Sequence, residues 1–142
     1  MFSKEESRLM REEFWTSFGK SFPRKWILYN TKIKGLSFKF YFDRKTAMVL
    51  LDIEDENLEN RIDLWEKIIS LKSILLEFLP NAVFEDVYFL ENGKEISRVY
   101  VQLDKKVSIH NKDTWRDVME FFNHHMRQFE IFFEEYKDVI KT

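Results

Sequence analysis

The pattern of apolar positions is clearest towards the end of the chain. Residues 111–141 contain neither Gly nor Pro, and their large apolar side chains recur at alternating spacings of four and three. These residues are Trp115, Met119, Phe122, Met126, Phe129, Phe133, Tyr136 and Ile140. The spacing predicts one helix roughly 40 Å long at 1.5 Å per residue. The rest of the chain must cover its apolar stripe.

The first third of the chain predicts a helix followed by three strands. Ser3 and Glu6 form a capping-box pattern, which predicts a helix from there to about Phe18, with Gly19 as its stop. From Trp26 the apolar period changes to two. The predicted strands are 26–33, 36–42 and 47–53, joined by turns at 34–35 and 43–46.

The length of the second turn sets the register of the second and third strands. Phe42 then faces Ala47, and Leu36 faces Ile53. One sheet face becomes apolar and is expected to meet the core. The opposite face is half apolar, which is unusual for a surface in water. It comprises Trp26, Leu28, Asn30, Lys32, Lys39, Tyr41, Met48 and Leu50.

The middle of the chain predicts a second helix and a second set of strands. The helix follows an acidic stretch at 52–56 and is stopped by Pro80. Its predicted buried side is Leu58, Ile62, Trp65, Ile69, Leu76 and Leu79. Three strands are predicted at about 83–90, 96–103 and 107–109. We leave their register open.

This element order predicts one α+β domain over residues 1–142, with long helices packed on one face of an antiparallel sheet. The order is helix, three strands, helix, three strands and helix. The aromatic content, 17%, implies a ring-rich core. The rings expected to be buried are Phe38, Phe40, Phe42, Trp65, Trp115, Phe122, Phe129 and Phe133.

Composition narrows the class of protein. The absence of Cys excludes disulfides, zinc–thiolate sites and thiol nucleophiles. No signal-peptide pattern opens the chain, and the longest aliphatic run, residues 47–51, is far shorter than the ~20 residues of a membrane span. We therefore expect a cytoplasmic protein that does not enter a membrane. No motif for a cofactor, a metal ion or a phosphate-binding loop is present.

Charge is distributed unevenly, although the net charge is only −2. Residues 20–45 carry eight basic side chains against Asp43 alone, a net +7, whereas residues 46–96 have a net −8. The basic segment suggests a nucleic-acid surface, with aromatic rings available for base stacking. Its candidate residues are Arg24, Lys25, Trp26, Lys32, Lys39 and Tyr41. The alternative is a solvated set of strand ends that pair with the acidic segment.

The half-apolar sheet face raises the question of what covers it. Its apolar members form a candidate patch of Trp26, Leu28, Tyr41, Met48 and Leu50. An uncovered patch of this kind would be large for a soluble monomer. Two explanations stay open: the opening or closing helix covers the patch, or a twofold partner presents the same patch in a homodimer.

An enzyme of a different class is the competing hypothesis. Glu120 and His124 are four residues apart on one face of the last helix, the spacing of a metal or acid–base site. The segments 43–45 and 104–106 both match the D-x-K end of a restriction-nuclease-like site, with Asp86 upstream of the second. A metal-dependent hydrolase or nuclease would need these side chains to converge on one pocket. Both triplets fall in predicted turns, so we assign no catalytic or metal-binding residue.

The chain resembles a bacterial family, domain of unknown function 4268, over nearly its whole length. The resemblance is carried by Phe14-Trp15-Thr16-Ser17-Phe18, Lys25-Trp26, the run from Gly35 to Phe42, Leu64-Trp65-Glu66 and Trp115. These are packing positions, so the resemblance implies the fold. In larger proteins this domain tends to follow a restriction-endonuclease-like region, which implies an association with DNA-handling or defence systems. None of that region's catalytic residues can be carried over to these positions.

Overall fold

The order of elements follows the predicted α+β arrangement. The computed structural model describes residues 2–24, 26 and 30–141. Its helices are α1 (Lys4–Ser21), α2 (Leu58–Ser70), α3 (Lys72–Phe78) and α4 (Trp115–Lys141). Its strands are β1 (Leu36–Phe42), β2 (Ala47–Ile53), β3 (Val83–Phe89) and β4 (Glu95–Gln102). A short 3-10 helix, Lys112–Thr114, leads into α4. The α+β class is confirmed, and the described residues form two strands in each set instead of three.

The four strands form one antiparallel sheet in the order β1-β2-β4-β3. The predicted register of β1 and β2 is confirmed, with Leu36 opposite Ile53 and Phe42 opposite Ala47. The second strand set joins the same sheet through β2 and β4, where Val49 lies opposite Val101. A bulge interrupts the pairing of β3 with β4. Because β3 and β1 are the edges, β2 and β4 form the centre of the sheet.

The apolar stripe of α4 packs on one face of this sheet, which we call the core face. Phe38 of β1 contacts Phe129 and Phe133 with ring centroids 5.3 and 5.6 Å apart. The predicted stripe is buried throughout α4 except at Tyr136, which is half-buried. Among the predicted core rings, Phe40 and Trp65 are half-buried and the others are buried. None of the described helices is long and apolar enough to span a membrane.

Helix α1 packs against the start of α4 through an aromatic cluster. Phe14 is fully buried, and its ring lies 5.3 Å from that of Trp115 and 4.8 Å from that of Phe42. At the helix start, the Glu6 backbone N–H donates to Ser3 Oγ, which confirms the capping box. Gly19 does not end the helix, because the chain continues as helix to Ser21.

The strand predicted at 26–33 is wrong for the residues that the structure describes there. Trp26 and residues 30–33 are irregular, while Ile27, Leu28 and Tyr29 lie outside the described residues. Thr31 Oγ1 donates to the Leu36 carbonyl oxygen at 2.8 Å, and the Ile33 backbone N–H donates to Thr31 Oγ1 at 3.1 Å. Such local side-chain bonds compete with a strand ladder.

The short strand predicted at 107–109 is also wrong. Thr114 Oγ1 donates to the Ser108 carbonyl oxygen at 3.0 Å, and the Ser108 backbone N–H lies 3.2 Å from the same Oγ1. The Ile109 backbone N–H donates to the Asp43 carbonyl oxygen at 2.9 Å. The segment is therefore held as a loop by side-chain bonds and one backbone bond.

The predicted second helix is divided at Leu71, and its predicted buried side is wrong in part. Leu79 is buried as predicted, and Trp65 and Leu76 are half-buried. Leu64, Ile68, Leu71 and Leu75 belong to the main core, together with Leu79. Leu58, Ile62 and Ile69 are exposed instead. The sequence contains both rows at helical spacing, so periodicity alone could not choose between them. Arg61 completes the buried row because its guanidinium donates to the Glu95 carbonyl oxygen at 2.7 Å.

The face of the sheet opposite the core face contains a buried ion pair. Arg98 of β4 donates two hydrogen bonds, of 2.7 and 3.0 Å, to the Asp52 carboxylate directly across on β2. Asp52 is fully buried, and Tyr88 lies against the Arg98 guanidinium at 4.3 Å. Lys39 Nζ lies 3.4 Å from Asp52 and 2.7 Å from Glu54. This face is therefore closed by its own long side chains.

We expect Phe122→Ala to lower the free energy of unfolding by about 3–5 kcal/mol, because it removes a ring at the centre of the buried aromatic cluster. Phe122 is fully buried and lies 4.9 Å from Phe40. Phe89→Ala is the matched control, since Phe89 is 63% exposed, and should change stability by less than about 0.5 kcal/mol. Urea unfolding measures both. Equal effects of the two changes would contradict this account of the core.

Candidate anion-binding site at the loop end of the sheet

The β1–β2 turn projects two basic side chains from one end of the sheet. Asp43 Oδ1 accepts hydrogen bonds from the backbone N–H groups of Lys45 and Thr46, both at 2.8 Å. The Asp43 backbone N–H donates to the Thr46 carbonyl oxygen at 3.0 Å. These bonds fix a tight turn whose two central side chains, Arg44 and Lys45, are exposed.

Titration at the turn reflects the same bonds. Burial of the Asp43 carboxylate raises its pKa, but the hydrogen bonds from Tyr41 and from the turn backbone outweigh this and lower the pKa below its ordinary value. The Tyr41 hydroxyl donates to Asp43 Oδ2 at 2.5 Å. This bond, with burial second, raises the pKa of Tyr41 to about 12. The Asp43 carboxylate is therefore ionised at neutral pH, and it accepts the hydrogen bonds that hold the turn.

The loop that follows β4 brings further cations to the same end. The Leu103 backbone N–H donates to the Ala47 carbonyl oxygen at 2.9 Å, which holds the start of the loop beside β2. Val107 and Ile109 are buried and anchor the rest. Lys106 precedes this anchor and is exposed. Lys105 points elsewhere and pairs with Asp117 at 3.0 Å.

Three basic residues line one depression of about 590 Å³ at this end. They are Arg44, Lys45 and Lys106, and Ser108, Asn111, Thr114 and Val107 complete the lining. No carboxylate lines it, and none of these cations forms an ion pair with an acid of the described residues. Unpaired cations in a concave surface are an arrangement that suits phosphate or carboxylate groups. We call these three residues the basic end.

A second depression, of about 300 Å³, shares Arg44 with the first. Arg11 contributes another cation, and Ser7 Oγ lies 2.9 Å from His110 Nε2. Asp43 is the acid in this lining, with its carboxylate oxygens engaged by the turn. The positive surface therefore extends from the basic end towards α1.

Three of the residues predicted to contact nucleic acid, Arg24, Trp26 and Lys39, lie away from the basic end. Arg24 bonds to the buried Glu130 and lies over the Trp26 ring at 4.7 Å. Trp26 is 3% exposed and belongs to the main core. Lys39 pairs with Glu54 on the opposite sheet face. The structure does not bring these residues together on one surface.

The remaining predicted contacts are Lys32, Tyr41 and Lys25. Lys32 is exposed in a turn with a φ of 60°, and Tyr41 bonds to Asp43. Lys25 lies outside the described residues. The predicted set as a whole stays a prediction, and its exposed members among the described residues are Arg24, Lys32 and Tyr41.

The predicted dimer patch is smaller than its sequence suggests. Leu50 is 2% exposed, Met48 is half-buried and Tyr41 is 36% exposed. Trp26 is in the core and not on the outer sheet face, and Leu28 lies outside the described residues. The twofold homodimer stays a prediction, which sedimentation of the Tyr41→Glu variant would test.

The residues of the hydrolase hypothesis do not converge. Glu120 pairs with Arg116 at 3.0 Å, while His124 is exposed. Asp86 lies beside Ser97, whereas Asp104 follows the far end of β4, roughly 20 Å away at 3.3 Å per residue. Among the described residues, no three His, Asp or Glu side chains are grouped to hold a metal ion.

His125 and His110 make structural contacts. Burial lowers the pKa of His125, whose Nδ1 lies 3.0 Å from the Phe121 carbonyl oxygen. His110 packs against the Phe2 ring at 4.4 Å and bonds to Ser7. The His110 contacts connect the chain before α4 to the start of α1, and the His125 contact lies within α4.

Comparison with family models gives one match, to Domain of unknown function (DUF4268), over residues 10–137 of the 142-residue chain. The chain belongs to the DUF4268 family. Comparison with curated proteins and with solved structures gives no match. Membership therefore assigns this DUF4268 domain no activity.

The sequence contains a signal for the basic end in the two triplets that also match a nuclease-like pattern. Besides the Asp at its start, each triplet, 43–45 and 104–106, contains a pair of cations. Pairing of β2 with β4 places both triplets of the DUF4268 domain at the same end of the sheet. With the register of the second strand set open, that proximity could not be predicted.

We expect Asp43→Asn to destabilise the DUF4268 domain by about 1–2 kcal/mol at neutral pH, because it weakens charge-assisted hydrogen bonds in the turn. The lowered pKa means that this stabilisation is present above the unfolded-state pKa and is lost as pH falls through the folded-state pKa. The difference in the free energy of unfolding between Asp43→Asn and wild type should therefore narrow between about pH 5 and pH 3.

Urea unfolding across this pH range measures the effect. Asp104→Asn is the matched control, since Asp104 starts the other triplet and accepts no hydrogen bond among the described residues. A difference that grows on acidification, or equal effects at both positions, would contradict the role assigned to Asp43.

Proposed function

We propose that this domain is a non-catalytic, cytoplasmic binding module whose basic end contacts the phosphate backbone of nucleic acid. The observation that carries the proposal is the convergence of Arg44, Lys45 and Lys106 on one depression without a carboxylate in its lining. The cations come from two loops of different strands, and backbone bonds join both loops to the sheet. The association of the family with DNA-handling or defence systems, implied by resemblance, agrees with this class of ligand.

The side chains that line the depression favour contacts to the nucleic-acid backbone over contacts to base edges. Arg presents a planar fork suited to a phosphate, and Lys supplies point charges that tolerate different positions. Ser108 and Asn111 add a hydroxyl and a side-chain amide that suit phosphate or sugar oxygens, whereas the Thr114 hydroxyl is already bonded within the loop. With Trp26 buried, the predicted aromatic platform for bases is not part of this surface. We therefore propose binding with little sequence preference.

A titration of labelled single- and double-stranded DNA and RNA at salt concentrations from about 50 to 200 mM tests the proposal. Each phosphate contact contributes about 0.9 to the slope of log K against log salt for a duplex. The triple variant Arg44→Gln, Lys45→Gln, Lys106→Gln should therefore lower the steepness of this slope by about 2–3 and weaken binding across sequences alike.

The matched control removes the same net charge at the other end of the molecule. It is Lys20→Gln, Lys94→Gln, Lys141→Gln, three exposed lysines at the ends of α1 and α4 and in the β3–β4 turn. It should keep most of the wild-type slope. Lys32→Gln separately tests the sequence-predicted set. No binding by the wild type at low salt, or equal losses in the two triple variants, would overturn the proposal.

A further inference from the structure

Helix α2 has a second apolar row that the domain leaves uncovered. Leu58, Ile62 and Ile69 are 55%, 47% and 39% exposed, and Trp65 between them is half-buried. Their spacings of four, three and four place them on one helix face. The row extends over three turns, about 16 Å. It has the spacing of a buried stripe, but the residues of α2 that pack in the core are Leu64 and Ile68.

The exposed row continues onto the edge strand β3. The Trp65 ring lies 6.3 Å from Phe84, and Lys72 Nζ lies 5.1 Å from the same ring. Val87 and Phe89 on this strand are 47% and 63% exposed, whereas Val83 pairs with Tyr100 and faces the opposite side of the sheet. Of eleven exposed large apolar side chains in the described part of the chain, five therefore belong to α2 and the adjoining part of β3. Such clustering distinguishes an interaction surface from scattered apolar exposure.

Acidic residues flank this surface. Glu59, Asp63 and Glu66 each follow a member of the row by one position, so they line its solvent side, and all three are exposed. Asp86 and Glu91 are exposed at β3 and in the turn after it. Lys67 pairs with Asp63 at 3.0 Å, which offsets one of these charges. The flanks remain acidic overall, as expected within the segment of net −8.

We propose that this apolar–acidic surface of α2 and β3 docks an amphipathic helix of a partner protein, with Lys or Arg beside its apolar stripe. Three turns of exposed apolar side chains match the stripe of one helix packed alongside. The acidic flank selects basic residues at the edge of the contact and disfavours acidic ones. This surface shares no residue with the basic end, so the proposal does not rest on nucleic-acid binding.

Two other occupants fit the surface less well. A second copy that presents the same surface would bring two acidic flanks together, which is unfavourable. An added strand on β3 would meet the bulge between Glu85 and Tyr88, which interrupts a regular edge. The continuous three-turn row on α2 therefore favours a helix over a strand.

The test uses the full chain and two synthetic helical peptides of about 18 residues, long enough to form helix on contact. Both carry the same leucine stripe; one has Lys on its flanks and the other has Glu. Calorimetry should give measurable affinity for the Lys peptide and at least tenfold weaker affinity for the Glu peptide. Amide chemical-shift changes should concentrate in α2 and β3.

Variants then locate the contact. Ile62→Ser with Ile69→Ser should weaken the Lys peptide about tenfold or more while leaving the unfolding midpoint unchanged, because both side chains are exposed. Leu9→Ser with Val139→Ser is the matched control, since these are exposed apolar residues of α1 and α4. The control should bind as wild type does. Preserved nucleic-acid binding in both variants would separate this surface from the basic end.

Several results would overturn the proposal. These are equal affinity for the Lys and Glu peptides, shift changes outside α2 and β3, or equal losses in the two double variants. Sedimentation of the protein alone tests whether a second copy of the chain occupies this surface. A dimer that Ile62→Ser with Ile69→Ser converts to monomer would assign the surface to a second copy instead.

Discussion

The packing of the α4 aromatic stripe on the core face of the sheet is the constraint on which the rest of the structure depends. The Phe122 and Phe129 rings reach the sheet directly, at Phe40 and Phe38. At the start of α4, the Trp115 indole N–H donates to the Ile109 carbonyl oxygen at 3.0 Å. The Ile109 backbone N–H in turn donates to the Asp43 carbonyl oxygen. The buried rings thereby fix the loops that present the basic end.

The two proposed binding surfaces differ in their physics because they differ in composition. The basic end is polar and has unpaired cations, so its contacts should respond mainly to salt. The α2–β3 surface is apolar at its centre and charged at its flank, so burial should supply affinity and charge should supply selectivity. The two surfaces lie towards opposite ends of β2, since the β1–β2 turn precedes this strand and α2 follows it.

The parts of the fold that the sequence predicts well are those where one physical signal has no competitor. In α4 the predicted stripe is the centre of one wide apolar face, which also contains the buried residues Val118, Phe121 and Phe132. The β1–β2 register follows from a short turn, so Leu36 and Ile53 could be paired in advance. In α2 two apolar rows compete, and which one is buried depends on tertiary contacts such as that of Arg61 with Glu95.

The candidate site was less predictable for a related reason. Its cations come from loops far apart in the sequence, and only the β2–β4 pairing makes them neighbours. At residues 30–33, the bonds of Thr31 outweigh the strand propensity of the surrounding residues. The spacing of apolar residues predicts neither short-range side-chain hydrogen bonds nor the pairing of strands that are far apart in the sequence.

The Asp52–Arg98 pair also bears on how the two central strands find each other. A slip of one residue between β2 and β4 would separate the two charges, and would turn the slipped strand's charge towards the apolar core. Every such alignment leaves a desolvated ion without its counterion. The pair therefore specifies the register of β2 and β4, because only the native alignment neutralises both charges.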